Sequence, residues 1–275
     1  MTPALLLRRS FLLGLLLVGA VLAASLLAGW IAPFDPVKTN YRYRLGAPND
    51  IFLLGTDRFG RDVLSRILFG ARVSLSIGLF TVLLSGLAGG LAGLAAGWWT
   101  RLDNPIMRLM DGLMAFPGIL LAIALAATLG PSEATAVIAL TVAYTPRTAR
   151  VMRGAVLVAR AQDYVEAAQA IGAKTTRILH RHIIPACIAP LAVQQTYIFA
   201  LAILAEAVLS FVGVGPPPPR PTLGAIIADG RDSMAEAPWI TLSPGLVIAT
   251  LVLGLNLLGD GLRDALDPRM RRMVR

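Results

Sequence analysis

The chain of 275 residues is 56% hydrophobic and 15% charged, and its mean hydropathy is +0.70. These values lie outside the usual range of a soluble globular domain and indicate an integral membrane protein. The formal net charge is +9, but the arginines flank apolar runs, where lipid headgroups would favour them, so nucleic-acid binding is disfavoured. The apolar runs are long and lack a period of two, which favours a bundle of membrane-spanning helices.

Six apolar runs are predicted to span the membrane, at residues 5–32, 73–99, 111–129, 134–157, 186–212 and 240–262. The first follows an arginine pair and is longer than the apolar core of a secretory signal, so we interpret it as an uncleaved span. Six spans place both termini on one side. Lys and Arg are more frequent in the segments on that side, which predicts cytoplasmic termini.

The polar loop between the first two spans is predicted to end in an amphipathic helix at the membrane interface, with Asp57 as a cap or a turn residue. This loop and the first span form a predicted N-terminal unit, 1–72, followed by a core unit, 73–275. Within the second span, glycines four residues apart predict close helix packing: Gly86 with Gly90, Gly89 with Gly93, and Gly93 with Gly97.

Residues 101–110 are interpreted as a basic turn, and Pro117 as a kink or start of the third span. Arginines at 147, 150 and 153 share one face of the fourth span. They either anchor it in the lipid headgroups or face a partner protein.

Two amide side chains and one carboxylate lie within the fifth span: Gln194, Gln195 and Glu206. An ionisable residue in a span costs about 2.5–3.5 kcal/mol on insertion scales, so Glu206 should avoid lipid. We consider all three as candidates for a translocation pathway. The alternative for Glu206 is a carboxylate satisfied by nearby helix ends.

A charged segment, residues 163–185, separates two of the predicted spans. We predict a helix over 164–171, a break at Gly172, a second helix over 174–182, and Pro185 at the start of the fifth span. The stretch around Lys174 lacks the glycines of a phosphate-binding loop, and His180 and His182 are two residues apart, a poor metal pair. The segment is therefore predicted to bind another protein.

Three stretches resemble a known family. Glu166-Ala167-Ala168, Gly172 and Ile183-Ile184-Pro185 resemble the EAA loop of binding-protein-dependent ABC importer permeases. Residues 54–78, which begin LGTDRFGRD, and residues 205–269 look like the shorter, C-type subunit of the dipeptide, oligopeptide and nickel permease subfamily. The run of prolines from Pro216 to Pro219 departs from what we expect of that subfamily.

The resemblance implies an all-α integral membrane protein with the fold of a type I ABC importer membrane domain, in the bacterial inner membrane. It implies a homologous B-type permease subunit, two cytoplasmic ATPase subunits and a substrate-binding protein as partners. Glu166, Ala167, Ala168, Gly172, Ile183 and Pro185 would form the coupling element of a cytoplasmic loop, 160–186. ATP and magnesium would be bound by the ATPase subunits, so this chain would hold no cofactor and would not itself be an enzyme.

The resemblance leaves the substrate open among dipeptides, oligopeptides, glutathione-like peptides and nickel, because a separate binding protein selects it. An ATP-independent secondary transporter would need mid-membrane carboxylates, and Glu206 is the one candidate in the predicted spans. A membrane-bound enzyme is disfavoured because no catalytic motif is found.

Overall fold

The computed structural model describes residues 9–266, and the side chains of residues 9–265. This part of the chain is built from helices and contains no extended strand. Arg8, the first residue of the arginine pair, lies outside the described residues. The basic tail from residue 267 also lies outside them. The α-helices in chain order are α1 Arg9–Leu26, α2 Ala28–Ile31, α3 Val63–Trp98, α4 Thr100–Met114, α5 Gly118–Leu129, α6 Glu133–Arg160, α7 Asp163–Ala170, α8 Thr175–Ile178, α9 Ile184–Phe211, α10 Leu223–Gly230 and α11 Trp239–Leu266.

By length and composition, four described helical stretches can cross a membrane: 9–26, 63–98, 175–211 and 239–265. Helices α4 and α5 add a fifth if they count as one broken span, since they meet at an angle of 85°. The prediction of six spans is therefore not confirmed. The helix predicted as the fourth span, α6, carries four arginines in its second half, so only its first half is strongly apolar.

Helix α3 is longer than predicted and includes the predicted interfacial helix. It continues for 36 residues, about 54 Å at 1.5 Å per residue, and no proline interrupts it between residues 63 and 98. Its N-cap is Asp62, whose side chain accepts a hydrogen bond from the Ser65 backbone N–H at 2.8 Å. Asp57 instead forms a turn by accepting from the Phe59 N–H at 2.8 Å. The predicted boundary at 72/73 falls inside α3, and the division into two units stays a prediction.

The prediction of a basic turn at residues 101–110 is wrong, because this segment forms most of α4. This helix is amphipathic, with charged residues that the sequence analysis assigned to a connection. The predicted break at Pro117 is confirmed, since α4 ends at Met114 and α5 begins at Gly118. Proline favours this break because it lacks a backbone N–H.

Close packing between α3 and α6 forms the centre of the bundle, as the glycine spacing predicted. A Cβ atom at Gly93 would lie 2.3 Å from the Ala149 carbonyl oxygen, and one at Gly97 would lie 2.7 Å from Val156 Cβ. Only glycine permits such an approach of two helix backbones. At Gly90, by contrast, the nearest atom would be 3.9 Å away, so that position is not tightly packed.

The N-terminal helix α1 packs along the C-terminal helix α11. A Cβ atom at Gly14 would lie 2.6 Å from the Gly254 carbonyl oxygen, and one at Gly261 would lie 2.7 Å from Phe11 Cβ. The first and last described helices therefore lie side by side. The segment 163–185 projects where α6 ends and α9 begins, at the opposite end of the bundle from the loop that joins α9 to α11.

Candidate docking site

The segment 163–185 folds as predicted into a helix, a turn and a second helical stretch. Helix α7 ends in a Schellman motif, in which the Gly172 N–H donates to the Gln169 oxygen at 2.9 Å and the Ala173 N–H to the Ala168 oxygen at 3.0 Å. Gly172 has a φ of +77°, a conformation that side chains disfavour. The second stretch, α8 and a π-turn at Leu179–Ile183, runs without interruption into α9.

One face of α7 is anchored to the bundle. Its Val165 is completely buried and Ala168 is nearly so. They belong to an apolar cluster with residues of the second half of α6, α8, the π-turn and the start of α9. The other buried members of this cluster are Met152, Val156, Ala159, Ile178, Leu179, Ile183 and Cys187. The segment is thus attached firmly to α6 and α9.

The predicted coupling residues divide into two groups. Ala168 and Ile183 are buried and hold the segment in place, as does the structural Cys187 beside them. The remaining members are exposed, and these are Glu166, Ala167, Gly172 and Pro185. Small and charged exposed side chains on an anchored helix suit a contact with another protein surface.

Sequence reasoning missed Ile171, which is 86% exposed although it is large and apolar. It lies at the end of α7, directly before the turn at Gly172. An isoleucine directly before the glycine that ends the predicted helix was the available signal. An apolar side chain held rigidly away from the bundle is the kind of residue that fills a pocket on a partner.

A groove of about 420 Å³ opens between the end of α7 and α8. It is lined by Ile171 and by basic side chains, namely Lys174, Arg177, Arg181 and His182. The His182 ring lies 5.6 Å from the Tyr164 ring, while His180 is exposed. Among the described residues, no group of three or more His, Cys, Asp or Glu residues could hold a metal ion. The groove is therefore suited to a partner surface that carries negative charge.

The arginines of α6 have partners within the chain. Arg153 forms a two-pronged ion pair with Asp103 of α4, with distances of 2.5 and 2.6 Å, and Arg150 Nη2 lies 2.7 Å from Asp111 Oδ1. Arg147 and Arg160 have no ion pair among the described residues: the Arg147 guanidinium lies 5.9 Å from the Tyr144 ring centre, and Arg160 donates to the Trp98 carbonyl oxygen at 3.1 Å. The two interpretations offered for the arginines at 147, 150 and 153, anchoring in lipid headgroups or contact with a partner protein, stay predictions, and neither included these pairs within the chain. The acidic partners of Arg150 and Arg153 lie in α4, which was predicted as a basic turn.

The polar residues of α9 are not grouped at one cavity. Gln195 is half-buried and donates to Thr148 Oγ1 of α6 at 3.1 Å, and Gln194 is also half-buried. Glu206 is completely buried and accepts a hydrogen bond from Ser210 Oγ at 2.6 Å. Its other carboxylate oxygen, Oε2, is buried and has no hydrogen-bond partner among the described residues, so the alternative of a carboxylate satisfied by nearby helix ends also stays a prediction. Assignment of the three residues to a translocation pathway stays a prediction.

A network of five charged side chains, which the sequence analysis did not identify, joins the loop before α3 to the end of α10. Asp229 of α10 pairs with Arg58 at 3.2 Å, with Arg61 at 2.9 Å and with Arg66 at 2.9 Å. The buried Asp57 pairs with Arg61 at 2.7 Å and with Arg66. The network holds the loop before α3 in place at one end of the bundle. The segment 163–185, hereafter the docking segment, lies at the opposite end.

Comparisons with known proteins support the resemblance. Residues 85–272 match the family of binding-protein-dependent transport system inner membrane components. A peptide transport system permease protein of Brucella suis is 52% identical over 96% of this chain and 89% of its own. The di/tripeptide transport system permease protein DppC of Pseudomonas aeruginosa is 44% identical over 94% and 88%. The glutathione transport system permease protein GsiD of Pectobacterium atrosepticum is 41% identical over 93% and 86%.

Two solved structures share the fold. A chain from inward-facing conformations of the MetNI methionine ABC transporter aligns with a TM-score of 0.60 and 19% identity, over 73% of this chain and 96% of that one. A chain from an amino acid ABC transporter crystallised with histidines aligns with a TM-score of 0.55 and 17% identity, over 75% and 94%. At these identities the likeness concerns the fold alone.

Proposed function

Because the chain belongs to the family of binding-protein-dependent transport system inner membrane components, we propose that it is the permease subunit of an ATP-driven importer of dipeptides or oligopeptides. The names of its relatives support the peptide substrate, since they are described as peptide, di/tripeptide and glutathione permeases. No relative named here is described as a nickel permease, so nickel is not favoured as the substrate. An ATP-independent transporter is disfavoured by the family.

The observation that carries the coupling role is the docking segment. It presents Ile171 and Glu166 to solvent, next to a groove lined by basic side chains, while Val165 and Ala168 hold it against α6. A surface that is exposed but rigidly anchored can transmit a push from a partner into the bundle. The partner in this proposal is a cytoplasmic ATPase subunit.

In this scheme the chain pairs with a homologous B-type permease subunit and two ATPase subunits, and receives substrate from a binding protein. The ATPase subunits bind ATP and magnesium, and this chain supplies no catalytic group. The docking loop, 160–186, and both termini then lie on the cytoplasmic side of the bacterial inner membrane. The core unit, 73–275, provides the half of the pathway that faces the B-type subunit.

The test is peptide uptake in a strain that lacks this gene and expresses variants of it. Glu166→Lys reverses a charge on the exposed face of α7, and Gly172→Pro forces φ from +77° to about −65°. We expect each to reduce uptake of radiolabelled alanyl-alanine by at least tenfold and to weaken co-purification with the ATPase subunits.

The matched control is Glu236→Lys, which makes the same charge change at an exposed position at the opposite end of the bundle. It should retain uptake. If Glu166→Lys and Gly172→Pro both keep wild-type uptake and ATPase association, the coupling assignment is wrong. If the wild-type strain takes up glutathione or nickel but not alanyl-alanine, the peptide assignment is wrong and the coupling assignment is tested with that substrate.

A further inference from the structure

Helix α6 packs differently along its two halves, which meet at Pro146. In the first half, Ala139 and Ala143 belong to an apolar cluster with Ala122 and Ala126 of α5. In the second half, the helix packs closely on the glycines of α3. Pro146 lacks the N–H that would continue the helical hydrogen bonds, so it weakens the helix between these halves.

Helices α4 and α5 break at the same level as Pro146. They meet at 85° across residues 115–117. The first residue of α5, Gly118, lies beside Ala143 of α6, because a Cβ atom there would be 3.9 Å from the Ala143 carbonyl oxygen. The break between α4 and α5 therefore lies beside the proline within the continuous helix α6, which is an arrangement suited to a hinge.

The polar link between α4 and the second half of α6 is the Arg153–Asp103 pair. Arg153 Nε donates to Asp103 Oδ1, and Arg153 Nη2 donates to Asp103 Oδ2. The side chains are only 33% and 22% exposed. The Arg150–Asp111 pair joins the same two helices, but it has one contact and its side chains are 52% and 62% exposed. Two-pronged, partly buried pairs hold their geometry better than exposed single contacts.

The docking segment is attached to the same half of α6. Two residues separate the end of α6 from the start of α7, and Val165 and Ala168 of α7 share an apolar cluster with Met152 and Val156. The second half of α6 and α7 therefore behave as one body. Helix α4 is joined to this body by the partly buried Arg153–Asp103 pair and by the more exposed Arg150–Asp111 pair.

We propose that the Arg153–Asp103 pair makes α4 move together with α7, so that displacement of the docking segment reaches the break at residues 115–117. Arg153 and Asp103 are positioning residues in this proposal, and they contact neither substrate nor nucleotide. The role rests on the proposed function, since it requires a partner that displaces α7. Without the pair, α7 would still bind its partner, but α4 would no longer follow it.

The test uses the whole importer, purified from its host, reconstituted in proteoliposomes and supplied with its binding protein. The measured quantity is alanyl-alanine taken up per ATP hydrolysed. We expect Arg153→Met and Asp103→Asn each to lower this ratio by about fivefold while ATPase association stays unchanged. The matched control, Asp111→Asn, removes the exposed pair between the same helices and should keep the wild-type ratio.

A second measurement does not depend on transport. Spin labels at Leu109 of α4 and Val158 of α6, both exposed, report the distance between the helices in a Cys187→Ala background. The wild-type pair should give one narrow distance distribution, and Asp103→Asn should broaden it. A merely stabilising ion pair would lower the yield of the protein without changing the ratio of uptake to hydrolysis.

If the single variants do not accumulate, the swapped variant Asp103→Arg/Arg153→Asp decides, because it restores the pair in reverse. Recovery of the wild-type ratio supports the proposal, and normal accumulation with a low ratio contradicts it. The proposal is overturned if Asp103→Asn keeps both the wild-type ratio and the narrow distribution. If wild-type protein shows no uptake and no hydrolysis stimulated by the binding protein, the proposed function fails. The distance measurement then still decides whether the pair holds α4 against α6.

Discussion

Neutralising Asp57 should destabilise the protein strongly, because this carboxylate is the buried centre of the five-residue charge network. It is 0% exposed and accepts from Arg61 Nε at 2.7 Å, from the Arg61 backbone N–H at 3.0 Å and from Arg66. Asp57→Asn keeps the size of the side chain but removes the charge that compensates two arginines. Arg66 is only 3% exposed, so its charge would remain buried and under-compensated.

Breaking a buried ion pair by removing one partner costs about 3–5 kcal/mol. For a chain of this length, 1 kcal/mol corresponds to roughly 2–4 °C in Tm. We therefore expect Asp57→Asn to lower Tm by roughly 6–20 °C. The assay is the loss of the monodisperse size-exclusion peak of detergent-purified protein after heating.

The control is Asp232→Asn, because Asp232 pairs with Arg231 while both side chains are about two-thirds exposed. Its Tm should stay within about 2 °C of wild type, since exposed pairs contribute little. A double variant, Asp57→Asn/Arg66→Met, should recover part of the loss because it removes the uncompensated charge. Equal Tm values for Asp57→Asn and Asp232→Asn would refute the reasoning.

Two further predictions concern packing and docking. Gly93→Ala should lower Tm by at least several degrees, because its Cβ atom would lie 2.3 Å from the Ala149 carbonyl oxygen. Gly112→Ala is the control and should not lower Tm, because no neighbouring atom lies within 4 Å of its Cβ position. Similar Tm values for the two variants would count against close packing of α3 and α6. Ile171→Asp should leave Tm unchanged, because the side chain is 86% exposed, but should reduce co-purification with the ATPase subunits by at least fivefold. Ile171→Leu is the control and should keep co-purification at the wild-type level. Wild-type co-purification of Ile171→Asp would show that this residue is not part of the docking surface.

The docking segment could be predicted in detail because its determinants are local. The break at Gly172 follows from a residue that tolerates positive φ, and the start of α9 near Pro185 follows from a proline that suits the first turn of a helix. Which residues of the segment face outward was not predicted. Ala168 is buried and Ile171 exposed because of where α6 lies, and that position is set by packing far along the chain.

Polarity is a poor guide to local structure where charged residues meet partners from another helix. The segment 101–110 was interpreted as a turn because it is charged, yet it forms a helix whose acidic residues pair with α6. The same pairs give Arg150 and Arg153 partners within the chain. A charge pattern in one segment does not reveal the opposite charge that a distant segment brings to it.

The sequence alone determined that the chain is a helical membrane protein, that it belongs with importer permeases, and that residues 163–185 form an exposed helix, turn and helix. These features depend on hydropathy, on spacing, and on glycine and proline, all of which act over a few residues. Only the tertiary structure decided which charges are paired. Asp229 meets Arg66 across 163 residues of sequence, and Arg153 meets Asp103 across 50. Such contacts depend on the packing of whole helices, because that packing brings side chains from distant segments within hydrogen-bonding distance.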